Sequence, residues 1–218
     1  MPSTLCRPFP PASLAGVPFE YILDQLHNLA PSYWNNSTNS DCTIVIPVPH
    51  LSRHVRLPVR PSYNPSGRRA TEPNTLALLP RITLKMHSDY LSAHSSFLRS
   101  LFSGASPFDL INTSSSIRPT PNSPLRTSSG RFTIPFDRLP RLLNSSPDHP
   151  VLFLPVPDPS SIHFLFHWMY FGELDYIRDA LRDGIIHWEG IARNVEYLGL
   201  TDDIKIFLGN WYVRWIHP

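Results

Sequence analysis

Proline decides where this chain can be regular, because each one removes a backbone donor and clashes inside a helix. The chain carries 25 prolines against nine glycines, well above ordinary proline usage, and they are unevenly placed. None falls in residues 81–106 or 160–217, so these two windows are the expected helical parts of the fold. Two other stretches, 49–80 and 104–150, mix proline and serine with arginine, including Arg53, Arg56, Arg60, Arg68 and Arg69 in the first and Arg118, Arg126, Arg131, Arg138 and Arg141 in the second. Such composition suits long solvated insertions. Residues 1–17, broken by Pro8, Pro10 and Pro11, read as an unstructured lead-in and not as an apolar signal helix.

Between these stretches the apolar periodicity is clear. After Pro18, the residues Phe19, Ile22, Leu23, Leu26, Leu29 and Ala30 fall within an arc of about 120°, which predicts an amphipathic helix ending near Pro31. Residues 41–48 and 151–156 are short, apolar runs bounded by turn residues, and residues 81–86 alternate, so all three are expected strands. Ser88 is the expected N-cap of a short helix through Tyr90, Leu91 and His94, followed by a second helix through Phe97, Leu98, Leu101 and Phe102 that stops at Gly104. Within the second insertion, 131–136 is a candidate strand and 139–143 a candidate helical turn. Asp158-Pro159 predicts the start of a helix over 159–171 that is apolar nearly all round and belongs mid-domain. An acidic turn, a helix over 184–198 stopped by Gly199, and a last helix capped by Thr201 follow. The last helix has Ile204, Phe207, Leu208, Trp211 and Trp215 as its buried stripe. The expected fold class is mixed α/β of the α+β type: a small sheet with a cluster of helices, one domain over 18–216 carrying insertions at 49–80 and 104–150.

The side chains available for chemistry exclude more than they suggest. Cys6 and Cys42 are the only cysteines, so neither a disulfide framework nor a cysteine zinc site is expected. His163 and His167 stand at i and i+4, but no Glu follows the first and no third ligand is apparent, so they read as polar-edge residues and no metal is expected. His87 reads as a structural histidine bonding nearby backbone, and Asp202-Asp203 as charge that complements a helix start. Nucleophile-elbow, phosphate-loop and dinucleotide-glycine patterns are missing, so the chain is expected to be no enzyme and to hold no cofactor. No run approaches the roughly 20 apolar residues of a membrane span, which points to an intracellular protein of cytoplasm or nucleus. A net charge of +2 names no partner. The basic insertions leave nucleic-acid association as the alternative reading, weakened by their near lack of aromatic residues. Ser106, Ser123 and Ser146, each before proline, and Thr71 after Arg68-Arg69 are candidate phosphorylation sites.

The run from Ile82 to Phe102 reads as a strand, then His87, Leu91, Ala93 and Ser95, then an aromatic-rich short helix with Phe97 and Phe102. Asp41 precedes the apolar strand Ile44-Val45-Ile46; Val151 to Asp158 leads into a helix ending Tyr170-Phe171-Gly172; and Tyr197-Leu198-Gly199 closes the next helix. This ordered set resembles the BTB/POZ domain family, with insertions longer than that fold usually carries. The resemblance makes Asp41, His87, Ala93, Ser95, Phe97 and Phe102 structural positions. It implies a protein–protein interaction module that pairs with itself or another BTB-like chain, serving as an adaptor or regulatory scaffold toward a ubiquitin-ligase or transcriptional partner. It also implies a two-fold interface in which Phe19, Ile22, Leu26 and Leu29 pack near Tyr90, Leu91 and His94.

Overall fold

The computed structural model describes residues 7–48, 80–105, 125–126, 133–134, 139–143, 146 and 148–215. Its elements are α1 (Phe19–Tyr33), β1 (Cys42–Pro47), β2 (Arg81–Met86), α2 (Ser88–His94), α3 (Ser96–Phe102), β3 (Leu125–Arg126), β4 (Thr133–Ile134), β5 (Arg141–Leu143), β6 (Val151–Phe153), α4 (Ile162–Phe171), α5 (Asp175–Arg182), α6 (Trp188–Tyr197) and α7 (Asp202–Trp215). Four strands form one sheet in the order β2-β1-β6-β5, and β3 pairs with β4 apart from it. β1 runs antiparallel to β2, with Ile44 opposite Leu84, and parallel to β6, with Ile44 opposite Leu152. A parallel neighbour needs a crossover, and here α2 and α3 lie within it. The class is α+β, as the alternation of apolar patterns implies.

α4 is the hub, touching α1, α2, α5 and α6. Ile162, Leu165, Phe166, Trp168, Met169 and Tyr170 are all buried in one core with Ile44, Leu91 and Leu152. The nearly all-round apolar pattern of its sequence is thus used on several sides at once.

Several expectations need correction. The lead-in is unstructured only in the reading of its prolines: from Arg7 onward it is attached, with the Arg7 amide donating to the Phe102 carbonyl at 2.9 Å and a 3-10 turn at Ala12–Leu14. α1 does not end at Pro31. It runs to Tyr33, because Pro31 removes only its own donor near the end and Trp34 N–H still reaches the Ala30 carbonyl at 2.8 Å. Residues 141–143 form a strand and not a helical turn, since Arg141-Leu142-Leu143 pairs antiparallel with β6, a tertiary gain that overrides helix propensity. Most of the 131–136 expectation and all of 49–79 lie outside the described residues; Thr133–Ile134 is strand.

α4 begins at Ile162 and not at Pro159. The Asp158 carboxylate accepts from Ser160 N–H at 3.1 Å and Ser160 Oγ at 2.6 Å, a turn that delays the helix. The acidic turn contains a helix, α5, whose inward set is only Ile177, Ala180 and part of Leu181, too thin a stripe to be read beside its Asp175–Arg178 and Asp179–Arg182 pairs. α6 starts at Trp188, later than expected. In α7, Ile204 and Leu208 are buried but Trp215 is 60% exposed. The buried Thr201 hydroxyl makes no hydrogen bond among the described residues, so it is not a cap. No helix among the described residues is long and apolar enough to cross a membrane.

Candidate interaction surface

Asp41 organises the junction of lead-in, sheet and α2. Its Oδ1 accepts from Ser88 N–H at 2.7 Å, and its Oδ2 accepts from Ser88 Oγ at 2.6 Å and from the Arg7 guanidinium at 2.9 Å. A helix starts with unsatisfied N–H groups, and here the satisfying oxygen comes from 47 residues away in sequence. Ser88 is therefore capped and is not the cap. Arg7 also donates to the Asp148 carbonyl at 2.7 Å, tying the segment before β6 to the same point.

His87 stands just before α2 in extended backbone and is buried. Its Nε2 lies 2.9 Å from the Asn39 side-chain oxygen, so that nitrogen carries the proton; its Nδ1 then accepts from the Tyr170 hydroxyl at 2.8 Å, while its own amide donates to the same oxygen at 3.0 Å. The bonds run to side chains instead of the nearby backbone acceptors expected. Burial holds the imidazole below its ordinary pKa, so it stays neutral. No proton acceptor is left over for a base role. Tyr170 stacks flat on Tyr90 at 4.0 Å between centroids, and the Tyr90 hydroxyl donates to the Leu26 carbonyl of α1 at 2.8 Å.

Ser95 sits between α2 and α3. Its hydroxyl accepts from Leu98 N–H at 3.0 Å, capping α3, and donates to the Leu198 carbonyl at 2.6 Å. Phe97 packs on Tyr197 at 5.3 Å, while Ala93 and Phe102 are buried. Arg99 closes the other end of α2: Nε donates to the Ser92 carbonyl at 2.7 Å and a terminal nitrogen to the Ala93 carbonyl at 2.9 Å, with the guanidinium against Phe9 and Phe19.

Of the seven residues of the implied interface, Leu26 and Tyr90 meet within one chain, through the Tyr90 hydroxyl and the Leu26 carbonyl. Tyr90, Leu91 and His94 are buried, as is Ile22, and Leu26 packs on the core. Phe19 is half-buried under Arg99. Leu29 is 49% exposed, and Tyr21, two turns earlier on the outer flank of the helix, is 57% exposed. Counting at helical spacing could have placed Tyr21, Gln25 and Leu29 in one row along the helix. Arg7, Arg99, Asn39 and His27 carry no such signal, since their partners lie on other elements.

His27, one turn on from Leu23, meets His94 across the α1–α2 contact. Gly172 explains why the end of α4 needs glycine: its φ is +73° and a Cβ there would lie 2.8 Å from the His27 ring. His163 and His167 face Trp34 at 5.5 and 5.4 Å, and His167 Nδ1 is buried without a partner among the described residues. The described residues contain no cluster of three or more metal-ligating side chains. Comparison with protein-family models, with curated proteins and with solved structures finds no match.

Proposed function

We propose that this chain is a non-catalytic protein–protein interaction module of BTB/POZ type that pairs with a second copy through the outer flank of α1. The observation that carries the reading is the half-exposed pair Tyr21 and Leu29 on a helix whose inner face is already held by its own chain. The polar groups around Asp41, His87 and Ser95 support a scaffold role in the same way, because they are engaged with one another and with helix ends. A role as adaptor toward a ubiquitin-ligase or transcriptional partner is the finer form of this proposal.

The test is sedimentation equilibrium of wild type and the Tyr21→Asp/Leu29→Asp double variant at micromolar concentration. The dimer reading expects wild type to associate and the folded variant to stay monomeric. A monomeric wild type defeats the self-pairing. Ile22 and Leu26 are unsuitable probes, since burial within the chain means that charge there unfolds the domain.

A further inference from the structure

β2 is the last strand on its side of the sheet, with β1 on one edge and no strand on the other among the described residues. Which of its backbone groups face out follows from the pairing. Thr43 N–H donates to Pro150 and the Val45 carbonyl accepts from Leu154, so odd-numbered residues of β1 bond toward β6 and even-numbered ones toward β2. Val48 N–H donating to the Pro80 carbonyl at 2.8 Å agrees. By register, Ile82, Leu84 and Met86 bond inward, and Thr83 and Lys85 present N–H and C=O groups outward.

Along this edge lies a cleft of about 410 Å³ between the strand, the α1–β1 turn and α4. Trp34, Leu84, Met86, His163, Phe166 and Tyr170 form its wall, and Thr83 and Lys85 its rim. Outward backbone groups above an apolar cleft are the two parts of strand addition: main-chain bonds hold the peptide, and the cleft takes alternate side chains. The charge on the strand narrows the occupant. Arg81, Thr83 and Lys85 share one face, so two copies pairing antiparallel about Thr83 would set Arg81 opposite Lys85, like against like. None of the ion pairs among the described residues uses Lys85.

We infer that the outer edge of β2 is a docking site for an extended segment of another protein, alternating acidic residues with large apolar ones. The apolar side chains enter the cleft, and the acidic ones lie along the face that carries Lys85. This site is on the sheet edge and does not depend on self-pairing through α1.

The probe is a fluorescein-labelled peptide, Glu-Leu-Glu-Trp-Glu-Leu-Glu, compared with Lys-Leu-Lys-Trp-Lys-Leu-Lys by anisotropy on the full chain. The acidic peptide is expected to bind saturably, at least about tenfold tighter than the basic one, and to slow hydrogen exchange at the Thr83 and Lys85 amides. Thr83→Pro removes only an outward donor, which an edge strand tolerates, and is expected to weaken binding about tenfold with unfolding unchanged. Should that variant lose its fold, Lys85→Glu serves instead and is expected to reverse the ranking of the two peptides. The inference is overturned if the acidic peptide does not bind, if Thr83→Pro or Lys85→Glu folds and changes nothing, or if both amides are already protected without peptide.

Discussion

His27 and His94 meet Nε2 to Nε2 at 3.2 Å, with ring planes 14° apart and centroids at 5.3 Å, so the imidazoles touch end-on and share one proton. His94 also lies against Trp168 and near Arg99, and burial, then His27, then Arg99 push its pKa down to about 3; burial also lowers that of His27 against the pull of Asp24. A histidine held neutral in the fold but free to protonate when unfolded costs stability as pH falls below its unfolded pKa, down to its folded one. Between pH 6.5 and 5 the loss from His94 is expected to be roughly 2 kcal/mol, and His94→Gln removes that part of the slope. Urea unfolding of both proteins at the two pH values checks this. Parallel slopes would show that His94 does not carry the acid sensitivity.

Asp41 accepts bonds from both Ser88 and Arg7, so Asp41→Ala leaves two groups of α2 and one cation unanswered. The expected cost is roughly 1–2 kcal/mol, read as a lower thermal midpoint. Ser88→Ala keeps the amide bond to Asp41 and should lose less. An Asp41→Ala midpoint equal to wild type would remove Asp41 as the cap of α2.

Asn194 is fully buried and clips the turn before α4: its amide nitrogen donates to the Asp158 carbonyl at 2.6 Å and Ser161 Oγ at 3.0 Å, and its oxygen accepts from Asp158 N–H at 3.0 Å. Asn194→Leu strands these groups and is expected to cost roughly 2–4 kcal/mol by chemical denaturation. Gly190→Ala strikes the same turn from the other side, since a Cβ there would collide with the Asp158 carboxylate. Both variants should loosen the residues around Asp158 first, seen as faster hydrogen exchange there than in β1.

Val48 and Pro80 are bonded across 2.8 Å at the open end of the β1–β2 pair. Replacing residues 49–79 by a short Gly-containing turn therefore leaves both strands in register, and loop closure favours the shorter link. The shortened chain is expected to unfold cooperatively with undiminished helical circular dichroism. A lost helical signal would mean that the core needs the replaced residues.

Long, strongly periodic elements were legible in the sequence: α1, β2, α3 and the α4 hub each follow from apolar spacing that burial then uses. The misses share a cause. Arg141-Leu142-Leu143 is a strand only because β6 lies beside it, and Asp158 delays α4 only because its carboxylate turns back onto Ser160. The contacts of Arg7, His27 and Arg99 join elements far apart in the chain, and no local pattern encodes them. Spacing identified most of the buried arc of α1, but it could not assign that arc to its own chain.

The parallel register of β1 with β6 sets Thr43 opposite Val151. During synthesis, at about 5–20 residues per second, the strand after α1 is made well before its neighbour exists. Contacts so distant along the chain also slow the final search. The β6-facing edge of β1 therefore stays unpaired until residues 151–153 have been made, so the order of synthesis leaves an apolar strand edge uncovered for seconds.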